Sequence, residues 1–261
     1  MELPRSQGRA SRLVVLESAG STNDVLAQRV ASGDEPAYST VLTLDQTAGR
    51  GRLGRTWTAP SGKTVALSVL VRVAEPAGFP FGWIPLIAGA AMSTSVDALV
   101  GGGRTGLKWP NDVQVDGLKV CGILAELVPQ TNGVIVGTGV NLSLQQHELP
   151  VTTATSLALA GVAQQGDELV DAVVSRYLAT LAELVGRLEA AHGDAVGSGI
   201  HRVVSEWCRT LGRDVRVELP DGTESFGIAS RIDETGRLVV RDARGETSAV
   251  SAGDVTHLRY E

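Results

Sequence analysis

The chain has little of the material from which metal centres and disulfide frameworks are built. Its 261 residues include two cysteines and four histidines. Cys121 and Cys208 are isolated, which fits a reducing compartment and leaves neither a disulfide framework nor zinc-ligand spacing. His147, His192, His201 and His257 are scattered, against a histidine metal site. No apolar run reaches the ~18 residues of a membrane span, and residues 1–12 lack the apolar core of a signal peptide. Without such a signal, the glycosylation pattern Asn141-Leu-Ser143 reads as chance. Positive charge is also short. A net charge of −6 at pH 7 argues against a general nucleic-acid binder. Together these absences predict a cytoplasmic protein with no membrane and no DNA partner. Apolar residues, by contrast, reach 43%, enough in a chain of this length for an ordered core in one large domain or two.

Against that acidic background one segment stands out, Gln46-Thr-Ala-Gly-Arg-Gly-Arg-Leu-Gly-Arg-Thr-Trp57. It places three arginines on a glycine-rich loop directly after a strand-like run, Tyr38 to Leu44. Glycine lets backbone approach a ligand closely, and arginine offers a permanent charge and a planar fork of donors. Such a loop is built to hold an anion. Gly49, Gly51 and Gly54 satisfy G-x-G-x-x-G, but that fingerprint must open a helix. Here the continuation is poor in helix formers and broken by Pro60. Ser61-Gly-Lys-Thr64 resembles the end of a P-loop, yet Trp57 occupies the position of its first glycine. Neither common phosphate loop accounts for the segment.

The hydropathy pattern predicts an α+β chain. A strand at Leu13–Leu16 precedes Ser21-Thr-Asn-Asp24, which resembles a capping box opening a helix that ends at Gly33. Strands are expected over Ser39–Leu44 and Val65–Val73, and a small-residue helix over Pro85–Val100, stopped by Gly101-Gly-Gly103. Leu107 to Leu142 reads as a meander, with turns at Asp116-Gly117 and Asn132-Gly133. Asp167 to Leu188 has a helical period with a wide apolar face. After Leu211-Gly212 come short strands with turn signals at Pro220-Asp-Gly222, Glu234-Thr-Gly236 and Ala243-Arg-Gly245. That rhythm predicts a small β-barrel at 212–261, appended to a mixed, mostly antiparallel sheet flanked by helices in 1–211.

Within the meander, a two-residue turn at Asp116-Gly117 sets Gln114 opposite Lys119. Asp112 then lies on the same face as a diagonal neighbour of Lys119, about 7–8 Å away at the backbone. A small anion, or a metal-bound phosphate, fits between such a pair. The run Lys108-Trp-Pro-Asn-Asp112 places a rigid aromatic-proline step just before it. Gly137 and Gly139 leave backbone room on the third strand, and Asn141 offers both a donor and an acceptor.

Five segments together resemble the biotin–protein ligase family. They are Ser21-Thr-Asn23, the Gln46–Trp57 loop, Lys108-Trp-Pro-Asn-Asp112, Gly117-x-Lys-x-x-Gly-Ile-Leu-x-Glu126 and Gly137-x-Gly-x-Asn141. They occur in the family's order, and the terminal barrel fits its SH3-like domain. The resemblance implies two steps. The biotin carboxylate attacks the α-phosphate of Mg-ATP, giving biotinyl-5′-AMP, and a lysine of a carboxylase's biotin carboxyl carrier domain then displaces AMP. A carboxylate and a triphosphate repel each other, so the site must neutralise both. Arg50, Arg52 and Lys119 are the available cations, and Mg²⁺ would add charge.

By that resemblance Lys119, Asp112 and Arg52 are catalytic, with Lys119 at the carboxylate and α-phosphate. Asp112 orients the attacking lysine or holds the metal. Ser21, Thr22, Asn23 and Gln46 supply neutral partners for the ureido ring, with Arg50, Gly51, Arg52 and Lys119 completing the biotin site. Arg50, Arg52, Trp57, Asn111, Lys119 and Asn141 are expected to contact the nucleotide, Trp57 by packing on adenine. Ser21 serves either as helix cap or as ligand partner, in which case Asn23 or Asp24 caps the helix. The basic loop is expected to order around biotin or the adenylate. Since the first motif starts at Ser21, the resemblance implies a ligase without a winged-helix repressor domain. The nearest rival is a lipoate–protein ligase, with the same two-step logic but a greasier pocket. A non-catalytic module binding RNA or an acidic partner would leave Asp112 and Lys119 without a task.

Overall fold

The computed structural model describes residues 1–33, 35–128, 131–219, 221–251 and 253–258. Its main element is a seven-stranded sheet in the order β1-β2-β5-β9-β8-β7-β6. The strands are β1 (Arg12–Leu16), β2 (Ser39–Thr43), β5 (Thr64–Arg72), β6 (Thr105–Lys108), β7 (Asp112–Val115), β8 (Leu118–Val128) and β9 (Gly133–Asn141). Only the β1–β2 ladder is parallel; the other five are antiparallel. Between β2 and β5 the basic loop folds back as a two-residue hairpin, β3 (Gly49–Arg50) with β4 (Thr56–Trp57), which the sequence reading did not anticipate.

The two faces of this sheet are covered differently. Side chains alternate along a strand. Leu67, Val69 and Val71 therefore join the large core beneath α3 (Ile84–Val100) and α4 (Gly166–Ala190), while Leu70 joins Leu26, Val30, Val41 and Ile135 under α2 (Thr22–Ser32). α2 lies mainly over the β2–β5–β9 part of its face. The rest is left to the basic loop and whatever lies under it.

Helix α3 amends one expectation. Phe81–Val100 is long and apolar enough to cross a membrane by length and composition alone, but most of it is buried as the core helix against α4. Its small residues explain the fit. A Cβ on Gly89 would stand 2.4 Å from the Leu107 side chain, so glycine there lets the helix lie close on β6. Two short helices, α1 (Pro4–Gln7) and α5 (Ile200–Trp207), lie where the sequence reading assigned no element.

The C-terminal strands are β10 (Asp214–Glu218), β11 (Glu224–Ile232), β12 (Leu238–Arg241), β13 (Thr247–Val250) and β14 (Asp254–His257). They form an antiparallel sheet in the order β13-β12-β11-β10-β14, consistent with the SH3-like fold. Its edge strands β13 and β14 do not pair among the described residues, so the ladder is open rather than a closed barrel. Of the turn signals read from the sequence, Pro220 lies outside the described residues; Gly222, Gly236 and Gly245 take left-handed φ values of 81°, 87° and 88°. Two indoles hold this sheet against the larger one. Trp83 Nε1 donates to Glu234 O at 3.0 Å and Trp109 Nε1 to Gly236 O at 3.1 Å. Trp109, in the aromatic-proline step, is thus a docking residue, and its bond to Pro110 is cis.

Candidate active site

Three glycines make the hollow. Gly137 and Gly139 on β9 and Gly122 on β8 present bare backbone to the half-covered face of the sheet. A Cβ at Gly137 would stand 2.4 Å from Asn23 Oδ1, and one at Gly139 would stand 2.6 Å from the Trp57 ring. The absence of side chains lets α2 and the basic loop close directly over the strands. Between them is a cavity of about 150 Å³. Its wall includes Ser21, Thr22, Asn23, Gln46, Arg50, Gly51, Arg52, Trp57, Asn111, Asp112 and Lys119. All but one of the residues expected from the sequence therefore meet here.

One end of the cavity is neutral. Ser21 is the N-cap of α2, its hydroxyl accepting from Asp24 N at 3.5 Å, and it still lines the cavity. Both roles expected for Ser21, cap and wall, thus fall on one hydroxyl. Gln46 Oε1 accepts from Thr22 N at 2.9 Å and from Thr22 Oγ1 at 3.2 Å. Buried Ser68 on β5 bonds Thr22 Oγ1 at 2.7 Å and Asn23 Oδ1 at 2.6 Å. These amides and hydroxyls form a wall of fixed donors and acceptors without net charge.

The other end is charged. Lys119 Nζ lies 2.7 Å from Asp112 Oδ1 and 5.6 Å from the centre of the Trp57 ring. The regular hairpin expected from the sequence is corrected here. Gln114 does face Lys119, but Asp112 faces Gly122, because Val120 is an extra residue on β8. The bulge buries both Val120 and Cys121 and leaves Lys119 and Gly122 side by side. Burial pushes the Cys121 thiol well above its ordinary value, so it is an inert core group.

The arginines divide by partner. Arg50 is committed to carboxylates: Asp24 at 2.7 Å and Glu126 at 3.0 Å, with the Asp24 hydrogen bond the main reason its pKa is raised. Arg55 is raised likewise by its hydrogen bond to Asp254 on β14. Arg52 has no ion pair among the described residues. It donates to Asn111 Oδ1 at 3.0 Å and Gly253 O at 3.3 Å, and burial lowers its pKa. Asn111 is itself anchored, Nδ2 donating to Ile123 O at 2.8 Å. A half-buried arginine hydrogen-bonded to neutral acceptors, with the Asp112 and Asp254 carboxylates acting at longer range, keeps its donor fork suited to an anion. The buried Trp57 Nε1 has no hydrogen-bond partner among the described residues.

The chain matches the Biotin/lipoate A/B protein ligase family over residues 15–141 and the Biotin protein ligase C terminal domain over residues 210–258. The biotin--[acetyl-CoA-carboxylase] ligase of Mycobacterium tuberculosis is 40% identical over 250 residues, covering 95% of this chain and 90% of that protein. The chain belongs to the biotin protein ligase family. Among solved structures of the family, that of Leishmania major in complex with biotinyl-5-AMP is 27% identical, with a TM-score of 0.57, covering 93% of this chain and 99% of that one. The Aquifex aeolicus ligase in complex with biotin and ATP shares the fold, with a TM-score of 0.75 at 24% identity, covering 96% of this chain and 100% of that one.

Within the family's motifs Asn141 is the residue that the structure sets apart. It is buried outside the cavity wall, and its Nδ2 donates to Thr155 O at 2.8 Å. Thr155 N in turn donates to Lys119 O at 2.8 Å, and Lys119 N donates to Thr153 O at 2.8 Å. Asn141 therefore pins the segment that grips the backbone of Lys119. Sequence reasoning missed Ser68, Gly253 and Asp254. Asp254 is an acidic residue on a distant strand, with no motif around it to mark it.

Proposed function

We propose that this protein activates biotin with ATP to biotinyl-5′-AMP and transfers the biotinyl group to a lysine of a biotin carboxyl carrier domain. The observation that carries the reading is the two-ended cavity: a neutral polar wall suited to a ureido ring, continuous with Lys119 and with Arg52, which has no ion pair among the described residues. The ring meets Ser21, Thr22, Asn23 and Gln46. The valerate carboxylate then lies toward Lys119 and Arg52, whose charges offset its repulsion from the triphosphate. A carboxylate oxygen bonds to the α-phosphorus as the bond to the leaving pyrophosphate breaks. Lys119 and Arg52 stabilise the charge that develops there. In the second step the acceptor amine attacks the acyl carbon, the bond to the phosphate oxygen breaks, and AMP leaves. Asp112 is placed beside Lys119 to orient that amine.

The remaining roles follow from position. Trp57 packs on adenine with its ring, and Asn111 contacts the nucleotide while holding Arg52. Arg50 and Gly51 form the roof of the biotin site. No group of three or more metal-ligating side chains occurs among the described residues. Mg²⁺ would be held mainly by phosphate oxygens and water, and Asp112 is the carboxylate of the cavity wall that would reach it if it does not orient the amine. Mg²⁺ would supply further charge neutralisation at the triphosphate. We assign the catalytic unit to residues 1–211 and the SH3-like unit to 212–261, and place the reaction in the cytoplasm, where both free thiols would persist.

The test is pyrophosphate exchange into ATP by the purified protein with biotin, with lipoate and with neither. Exchange with biotin alone is expected. Exchange with lipoate would move the assignment to the lipoate–protein ligases, whose greasier substrate has no ureido group for the polar wall.

A further inference from the structure

Glu126 closes the fourth sequence motif, yet none of the roles above uses it. It stands on β8 where three elements meet. Arg50 Nη2, from the basic loop, donates to its two oxygens at 3.0 and 3.1 Å. Asn23 Nδ2, from α2, donates to Oε2 of the same carboxylate. The second Asn23 Nδ2 proton faces Leu124 O at 3.4 Å. Asn23 Oδ1 takes the Ser68 hydroxyl at 2.6 Å and lies over Gly137 in the cavity.

Chemistry fixes the direction of this amide. A carboxylate and a carbonyl can only accept, so the nitrogen must face Glu126 and Leu124, and the oxygen must face Ser68 and the cavity. Both amide protons are consumed in the wall. Asn23 can then offer a ligand only an acceptor, the remaining lone pair of Oδ1. We propose that Glu126 is a positioning residue for biotin: it locks Asn23 as the acceptor for a ureido N–H and, through Arg50, fastens the basic loop over the ring. The proposal rests on the biotin-activating function above.

Two carboxylates share Arg50 but only one touches Asn23, which separates the two effects. Asp24 lies 2.7 Å from Arg50 and has no hydrogen bond to the Asn23 side chain among the described residues. Glu126→Gln keeps the shape of residue 126 but puts an amide that can donate where only an acceptor stood. The oxygen that remains can serve Asn23 or Arg50 but not both, so Asn23 is no longer held to one orientation and loop fastening is weakened. Asp24→Asn weakens the hold on Arg50 alone.

The experiment is biotin-dependent pyrophosphate exchange, read as separate KM values for biotin and ATP and as kcat, on wild type, E126Q, E126D and D24N. The E126Q variant is expected to raise KM for biotin roughly tenfold, with KM for ATP and kcat within about twofold. The E126D variant, which keeps the charge at shorter reach, should fall between, and serves if E126Q does not fold. D24N, which weakens the hold on Arg50 but leaves Asn23 locked, should raise KM for biotin by clearly less than E126Q does. An unchanged biotin KM in the Glu126 variants overturns the inference. So does a parallel rise for biotin and ATP, or an equal rise in D24N. Wild-type protein that shows no exchange with biotin fails the functional reading itself, a result distinct from either.

Discussion

Lys119 and Asp112 are in contact, 2.7 Å from Nζ to Oδ1, across a hairpin in which Val120 is an extra residue on β8. The bulge brings Lys119 beside Gly122, under Trp57, where a reacting carboxylate would meet it. Lys119→Ala is expected to reduce biotin-dependent pyrophosphate exchange by at least ~10²-fold, the usual cost of deleting a group that stabilises developing charge. The Asp112→Asn variant should separate the two steps. Transfer from preformed biotinyl-5′-AMP falls by ~10²-fold while exchange falls less, if Asp112 orients the amine. Equal losses would assign Asp112 to the metal instead.

The glycines of β9 should respond differently to the same added methyl. Gly137→Ala forces the Asn23 amide to move, since a Cβ there lies 2.4 Å from Oδ1. The expected result is a KM for biotin raised on the order of tenfold with KM for ATP little changed. Gly139→Ala displaces the Trp57 ring, 2.6 Å from the built Cβ, and should act on KM for ATP. Steady-state titration of each substrate checks both. Identical effects from the two variants would mean the cavity is not divided as described.

Much of this site was legible because its chemistry is carried by short local sequences. Ser21–Asn23, the Gln46–Trp57 loop and Asp112–Lys119 each contain their functional residues within a few positions, and all line one cavity. The direction of the arginines was not legible. Nothing local says that Arg50 spends its charge on Glu126, 76 residues away, or that Arg55 reaches Asp254, 199 residues away. The Val120 bulge was hidden for another reason. Alternation predicts a regular ladder, and two adjacent buried residues, Val120 and Cys121, look the same in sequence whether or not the strand bulges. Asn141 was assigned by its motif, and its contact with Thr155 depends on a loop that the motif does not contain.

The Arg55–Asp254 pair couples the basic loop to the C-terminal sheet, and Arg52 makes a second bond there, to Gly253 O at 3.3 Å. The side chains of the pair are 63% and 37% exposed, so global stability should change by no more than about 1 kcal/mol in Asp254→Ala. The loop should loosen nonetheless. Faster tryptic cleavage after Arg52 and Arg55, at a melting temperature near that of wild type, is the expected result. It should be mimicked in wild type by raised salt. Cleavage unchanged in the variant would show that the sheet does not hold the loop.

Asp171 on α4 anchors the N-terminal segment. Its oxygens accept from Ser6 Oγ at 2.6 Å, Ser6 N at 2.8 Å, and Arg5 N and Nε at 3.1 Å each. Burial alone would raise this carboxyl, but the hydrogen bonds from Ser6 and Arg5 outweigh it and hold the pKa below its ordinary value of 3.8. The sign of the linkage follows. An acid depressed in the folded state contributes stability that is fully present above its unfolded pKa and is lost as pH falls through the folded one. Neutral-pH stability should therefore include this contribution, and the anchor should fail only on acidification below the ordinary carboxylate range. Asp171→Ala leaves buried donors unmet and is expected to cost on the order of 3 kcal/mol at pH 7. Urea unfolding from pH 7 down to pH 3 checks both points. The gap between wild type and variant should narrow at the acid end, and a gap constant with pH would mean the carboxylate's charge is not what Ser6 and Arg5 hold.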